Sequence, residues 1–452
     1  MSRKRANVLF VLAASVLLGL AGRASAEPAI TLTSPAGGET WSAGSMHFLA
    51  WKADNLRAGA ELKITYSTDG GKAWAVIARV APNNGRYLWK VPDAVSKDCK
   101  VRVAAGVARA ENSVAFAIVP SQEVKNYHWV KVTEKAAFAP RDGAGALVLG
   151  GKMWLIGGWN PGDRKHFPRI CNNEVWSSRD GAAWTLEKPN TFLDKTFDGE
   201  RDWEGRHTAG YVVFRDKLWI VGGDVNQGHY HFDVWRSADG KTWELVNKGR
   251  KVPWGPRALH YTVVFRDKIW VLGGQTLPSF VPGDETFYRD VWTSADGVKW
   301  EKVTPTEPCW SARGMIGGSA VFRGRIWVLG GGTYDTPKRP QRQYYNDVWS
   351  SADGVKWERH VVFAPWEPRQ YHEVAVFDGR LWVLEGYSGA QGNRQDVWYS
   401  ADGVNWYEVP NTPWQPRHAA SVFVHDRALW MVAGNNMQSD VWKLQRRLPA
   451  RP

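Results

Sequence analysis

Asp347 to Trp357 reads DVWSSADGVKW, and near-copies stand at Asp233 to Trp243 (DVWRSADGKTW), Asp290 to Trp300 (DVWTSADGVKW) and Asp396 to Trp406 (DVWYSADGVNW). Each copy reads as the end of one strand, a tight turn and the start of the next. Asp-Gly supplies the positive φ that a two-strand hairpin needs, and Trp opens the following strand. Upstream of each turn runs an apolar strand ending in Gly-Gly: KMWLIGG, KLWIVGG, KIWVLGG and RIWVLGG, then RLWVLEG and ALWMVAG with one exchange each. Before that strand comes another, ending in VF and a turn such as RDK, RGR or DGR.

This block recurs through the chain. The third-strand tryptophans Trp176, Trp235, Trp292, Trp349, Trp398 and Trp442 follow one another at 59, 57, 57, 49 and 44 residues. Such periods bracket the kelch value of about 50. The sixth unit stops at SDVWKLQ, whereas HWVKVT (His128 to Thr133) precedes the first unit and copies KWEKVT (Lys299 to Thr304). Residues 128–445 therefore resemble a six-bladed kelch β-propeller, with the N-terminal strand completing the last blade and leaving no open edge. The Ser-x-Asp-Gly-x-x-Trp core also resembles the Asp-box of sialidases, itself a hairpin turn on propeller blades. Only STDGGKAW (Ser67 to Trp74) has the full spacing of that box, and it precedes the repeats.

Residues 27–120 hold about seven short alternating segments, the rhythm of a β-sandwich. At SPAGGETWSAGS, STDGGKAW and GRYLWKVP this stretch resembles the immunoglobulin-like domain of KNH-type cell-wall proteins, which implies a spacer or adhesion module. The expected fold class is thus all-β: an Ig-like sandwich, a linker at 121–127, the propeller, and a tail at 446–452.

Residues 1–26 carry a basic head (Arg3, Lys4, Arg5), an apolar run from Val8 to Leu20 and the small-x-small site Ala24-Ser25-Ala26, the pattern of a secretory signal peptide. The expected location is outside the cytoplasm, periplasmic or extracellular, without a membrane span. Removing the leader takes away four basic residues and no acidic ones, so the net charge falls from +13 to +9. With no block of like charge, a nucleic-acid partner is not expected, while an acidic glycan or a protein partner fits. Three cysteines, Cys99, Cys171 and Cys309, allow at most one intrachain disulfide, so apolar burial, including 28 Trp, must hold the fold.

The SADG turns share one face of the ring with short, plain turns. The opposite face receives the longer second-to-third-strand loops, rich in Arg, His, Tyr, Gly and Pro, and is the expected ligand face. It also receives the connections between units, which repeat aromatic-x-x-Arg at Arg141, Arg206, Arg257, Arg313, Arg369 and Arg417. The aromatic members are Phe138, Trp203, Trp254, Trp310, Trp366 and Trp414. Six guanidinium groups beside aromatic faces suit a carboxylate, sulfate or phosphate on a partly apolar ligand such as an acidic sugar. The same arginines, two of them followed three residues later by His260 and His372, can instead tie blades together.

Glu385 replaces the first Gly of Gly-Gly and is expected to be ionised beside the arginines, orienting a ligand or acting as a base, or simply bridging to one of them. Glu385 and His372 are the catalytic candidates. His229-Tyr230-His231 lacks a third ligand for a metal, and neither a metal nor another cofactor is expected. The sequence reads as a binding protein for an anionic or carbohydrate ligand or a protein. An enzyme acting on an acidic sugar, similar to a sialic-acid mutarotase, and a structural envelope or matrix protein are the alternatives.

Overall fold

The computed structural model describes residues 27–447 apart from 58–59, 82–83, 168, 226–228, 249–250, 277–285, 315–317 and 335–340. The leader at 1–26 and the tail beyond 447 lie outside the described residues. Every regular element among the described residues is a strand, and no helix is long and apolar enough to cross a membrane.

From Tyr127 on, the chain forms six antiparallel four-stranded units. Unit 1 comprises Gly145–Leu149, Lys152–Ile156, Val175–Ser178 and Thr185–Lys188. Unit 6 comprises Ser421–His425, Ala428–Val432 and Val441–Arg446, and its fourth strand is the N-terminal segment Tyr127–Thr133. The innermost strands touch in cyclic order through all six units, and the first, Gly145–Leu149, touches the last, Ser421–His425.

One hydrogen bond repeats around this circle. The second Gly of each Gly-Gly donates its N–H to the carbonyl of the connection Arg of the next unit: Gly158 to Arg206, Gly223 to Arg257, Gly274 to Arg313, Gly331 to Arg369 and Gly386 to Arg417. Gly434 closes the series on Arg141 at 2.9 Å. These second glycines have φ between 90° and 119°, a region open only to residues without Cβ. The first position sits near φ 60°, where Glu385 (48°) and Ala433 (57°) also fit. That difference explains why the two exchanges in the repeat fall on the first Gly and never on the second.

Apolar cores lie between neighbouring units. Leu147, Trp154 and Ile156 of unit 1, for example, pack with Trp203, Leu218, Ile220 and Trp243 around unit 2. The SADG turn takes part. A Cβ added to Gly240 would come within 2.3 Å of the Trp154 ring, and one on Gly403 within 2.2 Å of Trp327, so each turn lies flat on the second-strand Trp of the preceding unit.

Residues 29–119 form two sheets over one core. Ala29–Ser34, Met46–Asp54 and Arg86–Lys90 make one; Thr40–Ser42, Phe116–Val119, Ser96–Ala105, Leu62–Ser67, Ala75–Ala81 and Ala108–Glu111 make the other. Ile30, Leu49, Trp51 and Trp89 from the first pack on Trp41, Ile64, Val101 and Phe116 from the second. The first sheet continues into unit 5 through Met46 opposite Trp406. Asn405, 3% exposed, fixes this junction: its Oδ1 accepts from the Ser42 N–H at 2.8 Å, and His47 Nε2 lies 3.2 Å away. Tyr399 and Tyr407 hydroxyls accept the N–H groups of Val124 and Gln122. All three cysteines are free thiols.

Candidate functional site

The six connection arginines are almost wholly buried, none more than 1% exposed. In each unit Nη1 donates to the carbonyl that ends the second strand, on Gly157, Gly222, Gly273, Gly330, Glu385 or Ala433. The guanidinium also meets the carboxylate that precedes Val-Trp of the third strand: Arg141 meets Glu174, Arg206 meets Asp233, Arg257 meets Asp290, Arg313 meets Asp347, Arg369 meets Asp396 and Arg417 meets Asp440, at 2.5 to 2.8 Å. The same carboxylate accepts the indole N–H of the Trp two residues on, a spacing that puts both side chains on one face of the strand. The Asp and Trp of DVW are therefore the partners of the repeated Arg. A buried guanidinium needs such a partner, so the expectation of a cationic mouth built from these residues is corrected: the arginines tie each connection to its own unit.

The aromatic members are equally internal, at 0 to 2% exposure. Each meets a fourth-strand Trp edge-on or tilted: Phe138 on Trp184, Trp203 on Trp243, Trp254 on Trp300, Trp310 on Trp357 and Trp366 on Trp406. Trp414 meets Trp129 of the closing strand. They are spacers within the units rather than a ligand platform.

His260 and His372 are buried too, and each Nε2 bonds a carbonyl of the preceding unit, Val221 at 3.1 Å and Leu329 at 2.9 Å. Burial pushes both imidazoles down to about 3, so they stay neutral. Glu385 is fully buried, and its Oε2 accepts the N–H of Gly386 at 2.7 Å. The expected ionisation is corrected as well: burial, with Glu373 nearby, holds its carboxyl well above the usual range, and the adjacent arginines already face Asp396 and Asp440. Glu373 itself is pushed up to about 8 by burial. It was missed by sequence reasoning, yet a signal existed. The residue opposite the end of each second strand is Gly145, Gly210, Tyr261, Gly318 or Ser421, and only unit 5 has a carboxylate there.

The centre of the loop face is formed by other residues, one step beyond the repeated ones. The residue after each Arg bridges the residue after each Gly-Gly: Asp142 with Trp159, His207 with Asp224, Ala258 with Gln275, Gly314 with Gly332 and Gln370 with Tyr387. In unit 6, Asn435 donates its N–H to the His418 carbonyl. Over units 1 and 2 this ring is ionic. His207 Nδ1 lies 2.6 Å from Asp224 Oδ1 and 3.6 Å from Cys171 Sγ, and Trp159 stacks on the imidazole. Burial opposes charge on His207, but Asp224 outweighs it and holds the imidazole well above its usual range. Asp142, bonded by Asn435 Nδ2 at 2.9 Å, is pushed by burial up to about 6.

Over units 4 to 6 the ring is aromatic. Tyr334, Tyr371, His418, Tyr387 and Tyr344 follow one another at centroid distances of 5.1 to 6.4 Å, and Arg342 lies over Tyr334. Tyr334 also senses the charges of Asp142 and Asp224, so the arc and the ionic group share one floor. Parts of the second-to-third-strand loops, residues 277–285 and 335–340, lie outside the described residues. Among the described residues no three His, Cys, Asp or Glu side chains are placed to hold a metal ion.

The chain matches no family profile. It is 25% identical over 240 residues to kelch repeat protein M-T8 of Myxoma virus, covering 52% of this chain and 39% of that protein. Those repeats and the four-stranded units agree. The chain has a kelch-type β-propeller fold. It is 26% identical over 223 residues to N-(sulfonatooxy)prop-2-enimidothioate sulfolyase of Thlaspi arvense, covering 47% of this chain and 58% of that protein. The kelch-type chain thus spans less than two thirds of either relative. Among solved structures, that of YjhT aligns with a TM-score of 0.49 at 13% identity, over 69% of this chain and 95% of its own.

Proposed function

We propose that this chain is an exported binding protein, an immunoglobulin-like sandwich joined to a six-bladed kelch propeller, that takes a carbohydrate on the face bearing the second-to-third-strand loops. The observation that carries the reading is the divided floor of that face. The Asp142, His207 and Asp224 group offers charged hydrogen-bonding partners, and the arc from Tyr334 to Tyr344 offers ring faces. A sugar presents hydroxyl groups to the first and C–H faces to the second. Because the six arginines are committed to carboxylates, an anionic group on the ligand would rely on Arg342 and the His207 imidazolium. A glycan array of the mature protein followed by calorimetry tests this. Tyr371→Ala and Asp142→Asn should each weaken the best hit by about tenfold or more, near 1.4 kcal/mol, with the melting profile kept. An array without hits, or a hit indifferent to both substitutions, overturns the reading.

A second reading, an enzyme acting on an acidic sugar at the same floor, is favoured by the contact of His207 with Asp224 and the thiol of Cys171, groups able to exchange protons with a ligand. Following anomer exchange of N-acetylneuraminate by NMR decides it. Exchange at the buffer rate removes the enzyme reading, and loss of acceleration in Asp142→Asn supports it.

A further inference from the structure

The second-to-third-strand loop of unit 1 leaves the floor of the loop face as a hairpin. Its stem pairs Trp159 with Cys171, and the Asn160 N–H donates to the Ile170 carbonyl at 3.0 Å. Trp159 lies on the His207 imidazole and Cys171 Sγ beside it, so both ends of the loop are floor residues. Between them the turn is fixed by its own polar groups. Asn160 Oδ1 accepts the Gly162 N–H at 3.0 Å, and His166 Nδ1 lies 2.7 Å from the carboxylate of Asp163, the only acid in the loop. What the hairpin exposes is three cations and a ring: Arg164, Lys165 and Arg169 are exposed, and Phe167 is 71% exposed. Among the described residues none of these three cations meets a carboxylate. Arg169 instead lies over the Phe192 ring at 5.2 Å, a contact through the guanidinium plane that does not use its N–H fork.

We propose that this hairpin is the anion-binding arm of the loop face, and that the ligand is an acidic polysaccharide whose sugars bear carboxylate or sulfate groups. The inference rests on the carbohydrate reading of the floor and adds the polymer and its charge. One sugar meets the floor. Its neighbours along the chain pass the arm, where the cations take their anionic groups and Phe167 offers a ring to their C–H faces. A single anionic group would engage one of these cations, whereas three within the six residues from Arg164 to Arg169 suit a charge that repeats. No other part of the ring serves as well. The connection arginines face carboxylates, and the central channel enclosed by the innermost strands has a cavity of about 180 Å³ lined by one carboxylate, Glu373, and no Lys or Arg. An anionic lipid surface would attract the same cations and Phe167, but it has no use for the hydrogen-bonding, ring-lined floor on which the hairpin stands.

The test measures binding of the mature protein to polygalacturonate and to dextran sulfate, with dextran as the neutral polymer and phosphatidylglycerol vesicles as the lipid surface. One polyanion or both should bind about tenfold or more tighter than dextran, and the advantage should shrink when sodium chloride rises from about 0.1 to about 1 M, as the screening length falls from about 10 to about 3 Å. The tighter of the two tells carboxylate from sulfate. Arg164→Ala, Lys165→Ala and Arg169→Ala together should weaken the polymer about tenfold and remove most of the salt dependence, with the melting profile kept because all three are exposed. Lys241, Lys299 and Lys356, exposed beside the SADG turns, carry the same charge, and their joint replacement by Ala should leave binding unchanged. Phe167→Ala should weaken the polymer about threefold at either salt concentration. Polymer lost by the arm variant and kept by Tyr371→Ala and Asp142→Asn supports the arm and removes the floor reading. Polymer lost by the floor variants and kept by the arm variant leaves the floor reading standing and overturns this one. Polyanions bound no tighter than dextran, equal losses from the two triple replacements, or binding confined to the vesicles overturn it too.

Discussion

Units 4 and 5 are neighbours built from nearly the same sentence, SSADGVKWER and YSADGVNWYE, and they meet different surroundings. In unit 4 Lys356 and Glu358 are exposed and Ser350 is buried beneath Arg325, which donates to Ser350 Oγ at 2.7 Å and to Glu358 at 3.0 Å. In unit 5 the matching positions are Tyr399, Asn405 and Tyr407, and all three hold the sandwich and the segment after it. Toward the channel, Gly318 and Gly330 of unit 4 correspond to Glu373 and Glu385 of unit 5. The frame of Arg, Asp, Trp and Gly is common to both. What differs is what each frame carries, so a residue that repeats around the ring reports the scaffold and one that breaks the repeat reports a contact or a site.

The largest effect should fall on the shared part and be equal in both units. Arg313→Ala and Arg369→Ala each leave a largely buried carboxylate, Asp347 or Asp396, without its paired guanidinium and with the indole N–H still in place, and should cost about 3 kcal/mol. Chemical denaturation measures it. A loss in one unit and none in the other would break the equivalence of the two ties.

The next effect should separate the units. Asn405→Ala removes the acceptor of the Ser42 N–H and the neighbour of Ser45 and His47, all buried, and should cost about 3 kcal/mol. Limited proteolysis should then cut between the sandwich and the propeller sooner. Lys356→Asn at the matching place in unit 4 should stay within about 0.5 kcal/mol, because no second domain covers that turn. Equal responses would mean that Asn405 acts within its own turn and not as a latch.

The same contrast explains how much was legible beforehand. Period, strand order and the closing strand followed from Trp, Gly-Gly and Asp-Gly, because each of these acts locally or through identical neighbours. The connection arginines were visible but their use was not, since it depends on a carboxylate roughly thirty residues away that the same repeat carries as the Asp of DVW. The floor of the loop face escaped notice because it uses the positions just after the repeated ones, where Asp142, His207, Ala258, Gly314, Gln370 and His418 follow no repeated residue type around the ring. Glu373 and Asn405 were findable by aligning the units and asking which one departs. Their partners, the channel and the sandwich, could not be read that way, because no local pattern says what packs against a single exception.

The smallest of the three effects comes from acid, and it again concerns unit 5. His47 stacks on Trp41 at 4.3 Å, with Ser45 Oγ 3.0 Å and Asn405 Oδ1 3.2 Å from Nε2. Burial lowers its imidazole from 6.5 to about 4, although Asn405 and the charge of Asp402 work the other way. Between those two values the unfolded chain holds the proton and the folded chain does not, so stability at the junction is complete above 6.5 and declines as the pH falls toward 4. By about pH 5 the loss should be about 2 kcal/mol. It should appear as earlier proteolytic release of the sandwich, while a His47→Gln protein loses this part of the acid response. If the two proteins respond to acid alike, the latch owes its stability to Asn405 and the two tyrosines alone, and the contrast with unit 4 then rests on those three side chains.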